Sequence, residues 1–288
     1  MNATHLLSHR WLITPRGWTQ TIGAVEKAAF WAPMLNNRRG PVWAIDKESF
    51  ESGELPDGSK WEAIQVEASS RGYNLFDEPI PGMEIEGGIA RIPVHGVLLK
   101  GADIIDKTFG FTDPDDVRRD IDAALADGFV KSIELHFDSP GGTVSGIPGL
   151  ANHIAGSTKR IEAKADGQLC SAAYWLAAGC YSIEATRDSD VGSIGVYQPM
   201  EDYSRMYKAA GIDVELAKTG KHKGAGYPGV PITEEQKAHF QAEVDVIGSW
   251  FFGHVNAHRQ GISPDSMEGQ SFLADEAGRR GLVDIVTG

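Results

Sequence analysis

Cysteine is nearly absent: only Cys170 and Cys180 occur in 288 residues. Two thiols make neither a disulfide framework nor a zinc site, and they fit a reducing compartment and burial as small apolar groups. Long apolar runs are missing too. None approaches the ~18 residues that a membrane span requires, so no stable membrane anchor is expected. The start has no basic segment leading into an apolar one, so no signal peptide is read and a cytoplasmic location is expected. Positive charge is scarce, with 27 Lys and Arg against 40 Asp and Glu, a net charge of −13. A nucleic-acid partner needs a basic face and is not expected. No internal repeat and no low-complexity segment is found. What the chain does have is a 41% apolar share, enough for a real core in one large domain or two small ones.

The chain divides near residue 85. Residues 1–84 hold five of the seven tryptophans (Trp11, Trp18, Trp31, Trp43, Trp61) among Pro and Gly breaks. They read as an N-terminal appendage, with a helix at 19–32 and a turn at Pro56-Asp57-Gly58. Residues 85–288 read as the main domain, of α/β class. Ile89 to Val94 is a strand in which Pro93 suggests an edge. Asp113-Pro114 caps a helix that Gly128 closes. Val130 to Phe137 is a strand entering Asp138-Ser139-Pro140-Gly141-Gly142, and a helix comes next over 144–155, interrupted near Pro148. Arg160 to Ala165 alternates as a strand, and Ala172 to Ala178 is helix-compatible up to Gly179. A strand around Ile183 and another over Val191–Val196 come next. A helix over 202–210 precedes a strand at Ile212, Val214 and Leu216. Thr233 and Gln236 form a capping box for a long helix to about His258, with Phe240, Val244, Ile247, Phe251 and Val255 on one face. Asp275 caps a last helix, Gly281 ends it, and Leu282–Val286 is the final strand. Strands alternating with helices predict a parallel sheet.

Two places carry candidate chemistry. Ser171 stands where a strand hands over to a helix, near unpaired N–H groups and the positive end of the helix dipole. By itself such a serine is most simply an N-cap. Pro140-Gly141-Gly142 is a turn whose backbone N–H groups can face a developing oxyanion. A serine nucleophile needs a base. His95, His136, His153 and His222 are candidates, and so are Lys218, Lys221 and Lys223, in a loop of small residues after a strand. A lysine would act as a neutral amine.

Four stretches, in this order, resemble the signal peptide peptidase A family of serine peptidases, especially its phage and prophage branch that matures capsids. They are Asp138-Ser139-Pro140-Gly141-Gly142, Cys170-Ser171-Ala172, Val191-Gly192-Ser193-Ile194-Gly195-Val196 and Gly220-Lys221-His222-Lys223. Gly281-Leu282-Val283-Asp284 is similar as well, and Trp11-Leu12-Ile13-Thr14-Pro15 resembles the N-terminal segment of phage members. The resemblance, over roughly 88–287, implies a Clp protease/crotonase-like fold of repeated ββα units. It implies a Ser-Lys dyad: Ser171 as nucleophile, Lys223 as base in preference to Lys221, Ser193 orienting the lysine, and Gly141 and Ala172 as oxyanion-hole donors. Neither metal nor cofactor is implied. Many members have glycines where this chain has Ala172-Ala173, which bears on the shape of the substrate pocket. The implied partners are a protein or peptide substrate, a capsid scaffold first, and further copies of the chain in a ring. Lys223 would then reach a neighbouring subunit's Ser171, in the host cytoplasm or inside a procapsid. Alternatives are a peptidase degrading cleaved signal peptides, a crotonase-like enzyme acting on coenzyme A esters, and a catalytically silent structural homologue. The presence of both dyad residues favours a working peptidase.

Overall fold

Branched apolar residues alternate through Ile89–Val94 and Ile133–Phe137, and these segments form the middle of the sheet. A computed structural model describes residues 11–13 and 82–288 apart from 104, 105 and 108. The expected helix at 19–32, the turn at 56–58 and Trp18, Trp31, Trp43 and Trp61 lie outside the described residues. In chain order the elements begin with strands β1 (Trp11–Ile13), β2 (Glu84–Glu86), β3 (Ile89–Leu98) and β4 (Phe111–Thr112). Helix α1 (Pro114–Ala126) leads to β5 (Ser132–Thr143), α2 (Ile147–Ala155), β6 (Arg160–Cys170) and α3 (Ala172–Ala178). Next come β7 (Ile183–Thr186), β8 (Asp190–Gly192), α4 (Ser204–Ala209) and α5 (Glu234–His258). The chain closes with β9 (Ser271–Leu273), α6 (Ala274–Arg279) and β10 (Ile285–Thr287).

The strand order is β10-β7-β6-β5-β3-β2. From β10 to β3 every neighbouring pair is parallel, as the alternation of strands and helices predicts. Three long strands, β3, β5 and β6, bend at bulges, so each contributes to two stretches of sheet. Between β5 and β6 the register jumps from Phe137↔Ala165 to Ser139↔Leu169. Before the jump β6 pairs β7; after it, Gln168–Cys170 pairs β8. The bulge has a visible cause. The Gln168 N–H donates to Asp138 Oδ1 at 2.9 Å, and a Cβ at Gly167 would lie 2.3 Å from that oxygen. Bulges of this kind re-aim a strand end, here toward the site.

Local signals place most helices. Asp113 accepts from the Asp115 N–H with Pro114 in the first turn, and the Thr233–Gln236 capping box is complete. Pro93 lies where β3 pairs only β5, between the stretches taken by β2 and β4, so its edge reading holds locally. Several expectations shift. Pro148 starts α2 rather than interrupting it, because proline is tolerated in the first helical turn. β8 stops at Gly192 rather than at Val196, since Ser193 leaves extended geometry. The alternation at Ile212, Val214 and Leu216 forms no strand, since it pairs with no sheet edge among the described residues. Leu273 rather than Asp275 occupies the N-cap of α6. Gly179 ends α3 without left-handed φ; it supplies space instead, since a Cβ would meet Ala151 O at 3.1 Å.

All seven residues of α3 are buried, and Trp175 stacks on Phe251 of α5 at 4.5 Å between centroids, 3° from parallel. The apolar face read on α5 is buried at Ile247, Phe251 and Val255 and only half-buried at Phe240 and Val244. Its C-terminal half therefore packs inside the domain. Arg259 fixes that end: its two terminal nitrogens meet both Asp284 oxygens at 2.8 and 2.9 Å. Asp284 also accepts the Ile183 N–H at 2.7 Å. Burial alone would raise the Asp284 carboxyl, but the Arg259 and Ile183 bonds outweigh it and hold the pKa below its ordinary value. A carboxyl depressed in the fold stabilises above its unfolded pKa, and that stability is lost as pH falls through the folded one. We expect Asp284→Ala to cost about 3 kcal/mol near neutral pH in urea unfolding, because Arg259 is left buried and unpaired. Asp284→Asn, which keeps an acceptor for Ile183, should cost less, and both differences should shrink as pH falls from the ordinary carboxylate range through the lowered pKa of the folded carboxyl.

Candidate active site

Three adjacent parallel strands end side by side: β5 at Thr143, with Gly141–Gly142 inside the strand rather than in the expected turn, β6 at Cys170 just before Ser171, and β8 at Gly192 just before Ser193. Ligand sites in parallel sheets gather at such carboxyl ends. Among the described residues, Ser171 (φ 56°) and Ser193 (φ 52°) are the non-glycine residues with positive φ. Both carry motif positions in the sequence. Such backbone costs of order 1–3 kcal/mol and persists only where its surroundings enforce it. The enforcement is visible: the Ser171 N–H donates to Gly192 O at 2.8 Å, and the Ser193 N–H donates to Gln270 O at 2.8 Å. Ser171 stands at the N-cap of α3, yet its side chain makes no capping bond. The simplest reading of this serine, a helix cap, is thereby removed, and the hydroxyl is left to the space over the strand ends. Ala172, at the first position of α3, has an N–H without a helical acceptor. The neighbouring Cys170 is fully buried; burial and then Asp190 push its thiol up, so it is no thiolate nucleophile.

The glycine pair is part of β5 and pairs on both edges. Gly141 has φ 101°, which favours glycine, and a Cβ on Gly142 would sit 2.0 Å from Leu98 O of β3. The Gly141 N–H donates to Ser139 Oγ at 3.2 Å, the long end of the range, while that hydroxyl donates to Gly96 O at 2.6 Å. Ser139, fully buried, thus holds this end of β5 to the β3 side, and Asp138 holds the β6 bulge beside it. Neither role is evident in the sequence, since both depend on contacts with distant strands; Asp-Ser ahead of Pro-Gly-Gly is the only local hint.

Among the described residues, no histidine or lysine is hydrogen-bonded to the Ser171 hydroxyl. His136 lies beside buried Glu134, which also meets Lys164 and Arg91. His153 pairs with Asp122 on α1. His95 is exposed. The His222 ring packs against His239 at 4.8 Å between centroids. Lys221 is committed to Glu235, and Lys218 donates to Lys221 O at 3.1 Å. Lys223 is exposed and makes no hydrogen bond or ion pair among the described residues, whereas Ser171 is 1% exposed. Lys223 sits on an arm: from 197 to 231 no residue is buried, and Met200, Tyr203, Met206, Ile212 and Tyr227 are exposed on it. Beside Ser193, a groove of roughly 820 Å³ runs along Ile194–Val196, between α5 and Met267–Gly269. Among the described residues no cluster of His, Cys, Asp and Glu suited to a metal is found, and no helix is long and apolar enough to cross a membrane.

Comparison with known proteins adds to this geometry. Residues 154–288 match the model of Peptidase family S49. The chain is 31% identical over 200 residues to the head-tail preconnector protein GP5 of Enterobacteria phage P21, covering 69% of this chain and 40% of that protein. It is 28% identical over 206 residues to the capsid assembly protease C of Escherichia phage lambda, covering 70% and 47%. The chain thus spans less than half the length of these relatives. Among solved structures, a ClpP1 mutant from Listeria monocytogenes has a TM-score of 0.45 at 10% identity, over 68% of this chain and 90% of that one. The S49 match takes in Ser171, Ser193 and Lys223. By sequence, residues 154–288 of the chain are similar to the peptidases of family S49.

Proposed function

We propose that the protein is a serine endopeptidase of phage head maturation, cleaving scaffold or capsid proteins with Ser171 as nucleophile and Lys223 as base. The observation that carries the reading is the pair of strained serines at neighbouring strand ends. Strain held in place at a cleft points to function, because folding alone gains nothing from it. The likeness to two phage proteins, one of them a capsid assembly protease, supports the biological role.

Lys223 is taken to act on the Ser171 of a neighbouring copy. Three features support this: a buried serine without a base, an exposed lysine without a partner among the described residues, and an arm whose apolar side chains are uncovered. In the reaction, the neutral Lys223 amine accepts the Ser171 hydroxyl proton as Oγ attacks a peptide carbonyl carbon. Ser193, adjoining Ser171 across the β6–β8 pairing, orients the amine. The oxyanion rests on the N–H groups of Gly141 and Ala172, each worth ~3 kcal/mol. The Gly141 bond to Ser139 is a long, neutral one, and a charged acceptor outcompetes it. Lysine then protonates the departing amine, and water, activated by the same amine, hydrolyses the acyl-enzyme.

Co-expression with a candidate capsid scaffold tests the dyad: Ser171→Ala and Lys223→Ala should each leave the scaffold uncut. Mixed one to one, the two inactive variants should regain about a quarter of wild-type activity if each dyad spans a head-to-tail interface. Cleavage by either variant alone refutes the assignment, and a mixture without activity refutes its division between copies. Because only the neutral amine accepts the proton, the rate should climb with pH across the neutral-to-alkaline range; a flat profile there would exclude a lysine base. Ser171→Gly should be inactive yet about 1 kcal/mol more stable than the equally inactive Ser171→Ala, since glycine adopts φ 56° without strain. Equal stabilities in thermal unfolding would remove the strain argument.

A further inference from the structure

A β-strand has two hydrogen-bonding edges, and the end of β5 lets both be assigned. One edge of Gly141–Gly142 is taken by β3, in the register Val97↔Gly141 and Leu98↔Gly142. The other edge of β5 belongs to β6, but that pairing stops at Ser139↔Leu169. Beyond it β6 runs to Cys170 and turns into α3 at Ser171. From Gly141 onward, the vacated edge therefore faces the gap whose far side is Ser171. β1 fills it, antiparallel, with Trp11↔Thr143, Leu12↔Gly142 and Ile13↔Gly141.

An open strand edge of this kind is suited to hold an extended peptide. Main-chain bonds to an open edge hold a peptide irrespective of its sequence, and here they hold it between the glycine pair and a serine. The polarity of β1 matters. The segment runs antiparallel to β5, with Ile13 opposite Gly141 and Trp11 two residues away opposite Thr143. A substrate bound the same way places its acyl side on Gly141–Thr143 and offers the carbonyl after that stretch to Ser171.

We propose that Trp11–Ile13 is an internal, substrate-like strand that occupies the acyl-side peptide edge, and that substrate binds only when this strand leaves it. The inference rests on the peptidase reading for its meaning but not for its test. An internal ligand weakens the apparent affinity of an external one by the fraction of molecules in which the edge is free.

The test uses the full chain carrying Ser171→Ala, with and without Leu12→Pro/Ile13→Pro. Successive N–H groups alternate between the edges of a strand, so replacing both residues with proline removes whichever one faces β5. The probe is a fluorescein-labelled peptide of the chain's own residues 8–16, tracked by anisotropy. We expect the proline variant to bind it about five-fold more tightly, as for an edge occupied in ~80% of molecules. Equal affinity, or no binding to either protein, overturns the inference. Hydrogen exchange gives a second readout that needs no ligand. Of the Gly142 and Thr143 amides, the one that faces β1 should exchange at least about ten-fold faster in the proline variant and regain protection when the peptide is added, while the other, on the opposite edge, should not. Unchanged exchange on proline substitution also overturns it. The two readings part cleanly. If the peptide binds as expected but the chain with Ser171 intact cleaves nothing, the internal strand stands and the peptidase reading falls. If the intact chain and its Leu12→Pro/Ile13→Pro form cleave a peptide with the same KM, the internal strand falls and the peptidase reading stands.

Discussion

The hydrogen bond from the Ser171 N–H to Gly192 O, 2.8 Å long, is the constraint on which the site depends. It ties the end of β6 to the end of β8 at the residue where the chain leaves extended geometry for a helix. With that bond made, φ at Ser171 is positive, the hydroxyl is withdrawn from capping, and the first N–H groups of α3 open onto the same space. The cost of such backbone is of order 1–3 kcal/mol. The adjoining helix offsets it: α3 is buried along its whole length, and Trp175 and Tyr174 are among the largest buried side chains. Burying one large apolar side chain contributes about 1.5–3 kcal/mol, so the packing of α3 on α5 is sufficient to hold the junction strained.

A second dependency runs through β5. Asp138 anchors the β6 bulge and Ser139 ties the end of β5 to the β3 side, so neighbouring residues of one motif hold two different strands. The bulge lets β6 change partners from β7 to β8, and this exchange sets Ser171 beside Ser193. The same exchange ends the β5–β6 pairing and uncovers the edge at Gly141–Thr143. The positions of Ser171 and of the β5 edge beyond Ser139 are both consequences of one irregularity in the sheet.

What is legible in the sequence is local. The Asp113 and Thr233–Gln236 caps need only three or four residues, and each forms where its side chains predict. The strand-to-helix junction at Ser171 is equally plain, because period-two alternation gives way to small helix formers within a few residues. Features requiring a distant partner are not legible. Alternation at Ile212, Val214 and Leu216 is a sound strand signal, but a strand needs an edge, and these residues pair with none among the described residues. Gly179 comes after a helix as a left-handed terminator would, yet it serves a tight approach to Ala151. The roles of Asp138 and Ser139 are hidden for the same reason. The dyad lysine comes from resemblance, and within one copy it stands apart from the serine.

That separation bears on how the site is completed. A segment from 197 to 231 without a buried residue gains little from its own domain, while ordering it costs backbone entropy at every position. Its exposed Met, Tyr and Ile side chains are the kind that a partner surface covers. The proposed neighbour would therefore repair two deficits at once, covering the arm and supplying a base. The β1 strand approaches from another direction, along the β5 edge. The lysine and the peptide thus meet Ser171 through different parts of the fold. On the two proposals, assembly of copies and release of the internal strand would be separable conditions, neither sufficient without the other. A peptidase whose substrates surround it during assembly gains from that arrangement, since a site that is either incomplete or occupied cuts nothing early.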